Sequence, residues 1–181
     1  MKIKSIILTA AVAALTTARA FAFDAEAQSA TFAKLANGII AQTVAGKIDA
    51  NAVRADVATM EKIATEFAEA YKAKYPTGAK LADFMLASRD SLTGMTLEAI
   101  DAGFESEAIN KSHGKDIGFD LTAEENEHFG NMVDLFVHPA TAAICASLWE
   151  KDHNADRLKR MQSELQEVIE HCRKVTDKLK K

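Results

Sequence analysis

The residues best able to do chemistry are histidines, of which the chain has five. Two of them follow a glutamate by four positions: Glu124 with His128, and Glu167 with His171. Side chains at that spacing share one face of a helix. Imidazole and carboxylate both ligate zinc-class ions, so these four residues would close a tetrahedral transition-metal site if their helices meet. The competing reading is that both pairs are solvated helix surface. Glu125-Asn126-Glu127-His128 also forms a lone Glu-x-x-His. A ferritin-like di-iron bundle needs that motif twice, with two further glutamates, and no second copy is present.

Haem is the other cofactor this residue set could serve. His171 near the C-terminus and Met60 on an earlier helix are the ligand pair, in the manner of exported helical bundles that hold haem without covalent bonds. No Cys-x-x-Cys-His occurs, so covalent attachment has no motif. Met60 also lies on an apolar stripe, where a methionine commonly serves packing. Calcium fits poorly. Counting from Asp116, an EF-hand would need glycine where Leu121 stands and a ligand oxygen where Gly118 stands.

Catalytic motifs are missing: there is no Gly-x-Ser-x-Gly, no His-Glu-x-x-His, no phosphate-binding glycine loop and no dinucleotide fingerprint. From Ile109 to Leu121 the apolar periodicity lapses, and Gly114 and Gly118 accompany His113, Asp116 and Asp120. A long irregular connection of this kind is often functional, which makes those three residues candidates for ligand contact. Cys145 and Cys172 are the only cysteines. An oxidising compartment favours pairing them, but a hairpin reversing near His153 separates them by about 16 Å along the helices. A disulfide tolerates about 7 Å between Cα atoms. Both also suit an apolar core as free thiols.

The elements that position these residues read as helices throughout. Alanine is the commonest residue, 34 of 181, with eight glycines and two prolines, and no stretch keeps the alternation of a strand. A first helix is expected over 25–45, with Phe32, Leu35, Ile39 and Ile40 on one stripe and Gly46 ending it. A second, over 52–74 behind an Asn51 cap, aligns Val53, Val57, Met60, Ala64, Phe67 and Tyr71. Tyr75-Pro76-Thr77-Gly78 breaks it. Shorter helices follow around Leu81–Ser88 and Leu97–Ala108, divided at Thr93-Gly94. Thr122 to Glu125 reads as a capping box opening a helix with Phe129, Met132, Val133 and Phe136, and Pro139 should kink that helix or start another. The last helix is the most regular: Leu158, Met161, Leu165, Val168, Cys172, Val175 and Leu179 form a heptad seam that must pack on neighbouring helices or on a second copy of the chain. The expected fold is an all-α antiparallel helical bundle with a long C-terminal amphipathic helix.

The N-terminus has the three parts of a secretory signal: Lys2 and Lys4, an uncharged apolar run from Ser5 to Ala18, and Ala20-Phe21-Ala22 as the cleavage site, with Ala18-Arg19-Ala20 as a second option. The apolar run falls short of the roughly 20 residues of a membrane-spanning helix, and no later segment reads as one. Residues 1–22 are therefore a signal peptide and 23–181 a single helical domain, periplasmic or secreted. Cleavage removes Lys2, Lys4 and Arg19 and no acid, taking the formal charge from −4 to −7. Nucleic acid demands a basic face and is disfavoured. The composition and motifs point to an exported binding or interaction protein for a protein or small ligand. The alternative is a haem- or metal-binding bundle.

Overall fold

In the computed structural model, residues 23–104, 106–118 and 120–181 are described; the expected signal peptide lies outside them. Seven α-helices and no strands make up the described residues: α1 Ala25–Ala45, α2 Ala50–Lys74, α3 Ala79–Leu92, α4 Leu97–Phe104, α5 Ser106–Ile117, α6 Glu127–Asp152 and α7 Ala155–Lys180. Asp24 caps α1 by accepting from the amides of Glu26 and Ala27, and Gly46 closes it at a left-handed φ of 61°. The α2 cap is Asp49, which accepts from the amides of Asn51 and Ala52 at 3.0 and 3.1 Å. Either residue type suits that position. The choice of Asp49 starts the helix two residues earlier than the expected Asn51 cap.

Helices α1, α2, α6 and α7 form a closed four-helix arrangement, in which α1 packs on α2 and α7, and α6 packs on α2 and α7. Neighbours run in opposite directions. At one end, Lys180 of α7 pairs with Glu26 of α1, Gln28 of α1 reaches Glu66 of α2, and Tyr71 of α2 packs on His128 of α6. At the other end, Arg54 of α2 donates to Ser147 of α6 at 2.7 Å. The C-terminal seam is consumed inside this bundle: Met161, Leu165, Val168, Cys172 and Val175 are fully buried, with α6 and α1 over them. Helices α3, α4 and α5 form an excursion on the α2–α6 side, α3 and α4 each packing on α6.

Helix α6 is the core helix, and it runs unbroken through Pro139, so no new helix begins there. Proline denies the Leu135 carbonyl its helical partner and costs about 3 kcal/mol in a helix interior. Leu135, Phe136, Ala140, Ala142 and Ala143 are buried on both sides of it, and a large apolar side chain contributes about 1.5–3 kcal/mol when buried. Two or three such residues outweigh the proline. The same burial revises the reading that no later segment resembles a membrane span. Residues Glu124–Asp152 are long and apolar enough to cross a membrane by length and composition, but 72% of their apolar window is buried within the protein.

Two other expectations are corrected. The stretch from Ile109 is helical as far as Ile117. Ile109, His113 and Ile117 form a stripe at steps of four, with both isoleucines buried, and the histidine in the middle is what disguised it. Gly118, at φ 81°, ends α5. The capping box at Thr122 does not form: the turn that follows has Ala123, not Thr122, at its N-cap and no side-chain cap, while the Thr122 hydroxyl donates to Asp120 at 2.7 Å. A 3-10 turn at Glu124–Asn126 leads into α6.

Candidate metal centre

The α6–α7 hairpin reverses at His153, which takes a left-handed conformation, φ 48°. That turn fixes which residues of the two helices face each other. Asn131, Asp134 and His138 share one face of α6, and Glu164, Glu167 and His171 lie along α7 at helical spacing. Their meeting point is a group of three metal-competent side chains, Asp134, His138 and His171, whose ligand atoms lie within 4.8 Å of one another.

Each imidazole is oriented from behind. Nδ1 of His138 donates to Glu164 Oε2 at 2.5 Å, and Nδ1 of His171 donates to Asn131 Oδ1 at 2.6 Å. The Asn131 amide is itself held, its Nδ2 donating to the Glu127 carbonyl at 3.3 Å. With a proton on each Nδ1, the nitrogen of each ring left open to a metal is Nε2. Both Nε2 atoms face one carboxylate: His171 Nε2 is 3.5 Å from Asp134 Oδ2, and His138 Nε2 is 3.9 Å from Oδ1. Those separations exceed good hydrogen bonds. They are close to the spacing of about 3.4 Å between ligands that each sit about 2.1 Å from a tetrahedral ion. The rings are near-parallel, 7° apart, with centroids 5.3 Å apart.

The electrostatics follow from placing a carboxylate in a core helix. Asp134 is only 18% exposed. Burial pushes its pKa up to about 6, with the His138 charge opposing and Glu164 and Glu167 adding to the rise. For His138, burial works against the charged form, but the hydrogen bond to Glu164 and the charges of Asp134, Glu164 and Glu167 outweigh it and raise the pKa. Burial, then the neighbouring His138 charge, lowers His171 to about 4. The charged form of His138 is thus favoured beside Asp134, whereas that of His171 is disfavoured, which leaves its Nε2 lone pair free. A cation between the three would compete with protons for these groups, as metal ligation does generally.

Sequence spacing singled out a different quartet, of which the centre uses only His171. The hairpin register puts His128 near Lys178 rather than His171: the Lys178 charge, after burial, lowers the His128 pKa, and the ring packs on Tyr71, Tyr75 and Phe129. Glu124 is exposed on the turn before α6. Glu167 is also exposed and accepts from Ser163 Oγ at 2.8 Å. Of the haem pair, Met60 is fully buried in the α2 seam, and both nitrogens of His171 face α6. Of the three loop candidates, His113 lies on α5 with its ring 4.5 Å from Phe84. Asp116 is exposed on the same helix. Asp120 accepts from Asn110, the Thr122 amide and the Thr122 hydroxyl, beside an open groove of about 790 Å³. Cys145 and Cys172 are both free and buried. Cys172 contacts Ser29 of α1, while Cys145 lies within the field of Arg160 and Arg157, and burial raises both thiols to about 11.

Asp134 and His138 were open to detection. They are four apart on one helix, and with a turn near His153 the count along the hairpin sets Asp134 opposite His171. The pairing needed that register as well as spacing within each helix. Compared with protein families, curated proteins and solved structures, the chain matches none, so the functional reading rests on the geometry of this centre.

Proposed function

We propose that this protein is an exported helical-bundle binding protein whose ligand is a divalent transition-metal ion held between α6 and α7 by Asp134, His138 and His171. The observation that carries the reading is the pair of imidazoles, each with Nδ1 held by an oxygen and Nε2 turned toward one shared carboxylate. Outer partners of that kind are what orient ligating histidines in metal sites. Two imidazoles and a carboxylate suit zinc, copper, nickel, cobalt or ferrous iron rather than calcium or magnesium. Three protein ligands also leave a coordination position for water or an exchanging ligand. The signal segment at residues 1–22 supports delivery outside the cytoplasm, where such a protein would acquire or carry its ion.

Equilibrium dialysis of the mature chain against zinc(II) tests this. One equivalent is expected at pH 7.5, reduced to background when His138 and His171 are both replaced by alanine and retained when His128 is. Loss in His128→Ala, or no binding by the wild type, refutes it.

A further inference from the structure

The centre does not end at its ligands. Glu164, which orients His138, accepts through its other oxygen from Arg160 Nε at 3.1 Å. Arg160 is in turn clamped from α4: its Nη1 donates to Asp101 Oδ2 at 3.1 Å, and its Nη2 pairs with Asp101 Oδ1. Guanidinium and carboxylate meet here through two parallel contacts, an arrangement that fixes the plane of the guanidinium as well as its charge. The chain of contacts runs from α4 through α7 to α6, and it ends on the back of a metal-competent imidazole.

Resting on the metal reading above, we propose that Asp101 and Arg160 are positioning residues for the centre, so that metal affinity depends on α4 being docked against the α6–α7 hairpin. Arg160 fixes the rotamer of Glu164, Glu164 holds the Nδ1 proton of His138, and that bond aims Nε2 toward Asp134. Without the clamp Glu164 is free to turn toward solvent, and His138 loses the partner that sets its tautomer and ring orientation. Coupling is reciprocal. An ion that tightens His138 also tightens α4.

The test compares zinc(II) affinity, melting temperature and amide exchange for the full mature chain and four variants. Arg160→Gln and Glu164→Gln are each expected to weaken zinc binding about 10- to 100-fold, the range seen for outer-shell partners. Zinc should slow amide exchange in Leu97–Phe104 in the wild type and not in Arg160→Gln. Asp101→Arg should lower the melting temperature and zinc affinity together. Combining it with Arg160→Asp restores an ion pair between α4 and α7 but sets a carboxylate beside Glu164, so melting temperature should recover while zinc affinity stays low. Wild-type affinity in Arg160→Gln and Glu164→Gln, or recovery of affinity in the swapped pair, overturns the inference and leaves the metal reading standing. A wild type that binds no zinc overturns both.

Discussion

Replacing Asp134 with asparagine should make the metal-free protein more stable, not less. The folded pKa of Asp134 is about 6, against an ordinary value of 3.8. A raised folded pKa means that the advantage of the protonated form is present below about pH 4 and is lost as pH rises through 6. Above that, the folded state carries an anion it would sooner hold neutral, at a cost of about 3 kcal/mol for two pH units. Asparagine has the shape of the protonated acid and does not ionise. Urea unfolding in the presence of a chelator at pH 8 should therefore place Asp134→Asn about 1–3 kcal/mol above the wild type, and the gap should close as pH falls toward 4. The same variant should lose zinc binding. If Asp134 is instead a structural ion-pair member, removing its charge strands His138 and the variant is less stable at pH 8. That outcome, or a gap that does not change with pH, refutes the reasoning.

Four further outcomes follow from the same structure. His171, with its pKa lowered to about 4, should draw stability from the fold as pH falls from 6.5 toward 4, by up to about 3 kcal/mol, a loss that His171→Gln removes in urea midpoints at pH 7 and 4.5. Leu165→Ala opens a cavity in the fully buried α7 seam and should cost about 2–5 kcal/mol by chemical denaturation. Gly78→Ala would set its Cβ 2.0 Å from Phe129 Cε1, and the forced shift should cost about 1–3 kcal/mol, with Phe129→Leu in the same chain recovering part of the melting temperature. Intact mass of the non-reduced protein should show two thiols that alkylate only after unfolding, because both cysteines are buried and free; a mass two hydrogens lower contradicts this.

Where one helix face meets solvent and the other meets core, the sequence was readable. The steps of Val53, Val57, Met60, Phe67 and Tyr71, and those of Met161, Leu165, Val168, Cys172 and Val175, predict the stripes that are buried. Gly46 ends α1 for the backbone reason that glycine suggests. Elements buried on several sides resisted reading. Around Pro139, α6 is apolar on nearly every side, so periodicity loses its contrast and proline looks like a boundary. In α5, His113 sits in an otherwise apolar stripe and hides the helix. The metal-competent cluster was hidden for a third reason. Spacing within one helix nominated Glu124 with His128, but which residues meet is decided by the register between helices, and that depends on where the chain turns at His153. Arg160 and Asp101 were further out of reach, because their contact joins α4 to α7 across a long sequence separation.

The most direct test of the central claim is the position of the ion itself. Crystals of residues 23–181 grown with one equivalent of zinc(II) and measured at the zinc absorption edge should show one anomalous peak between α6 and α7, about 2.0–2.2 Å from Nε2 of His138, Nε2 of His171 and a carboxylate oxygen of Asp134. A peak at His128 and Glu124, or density between α6 and α7 with no anomalous signal, contradicts the account.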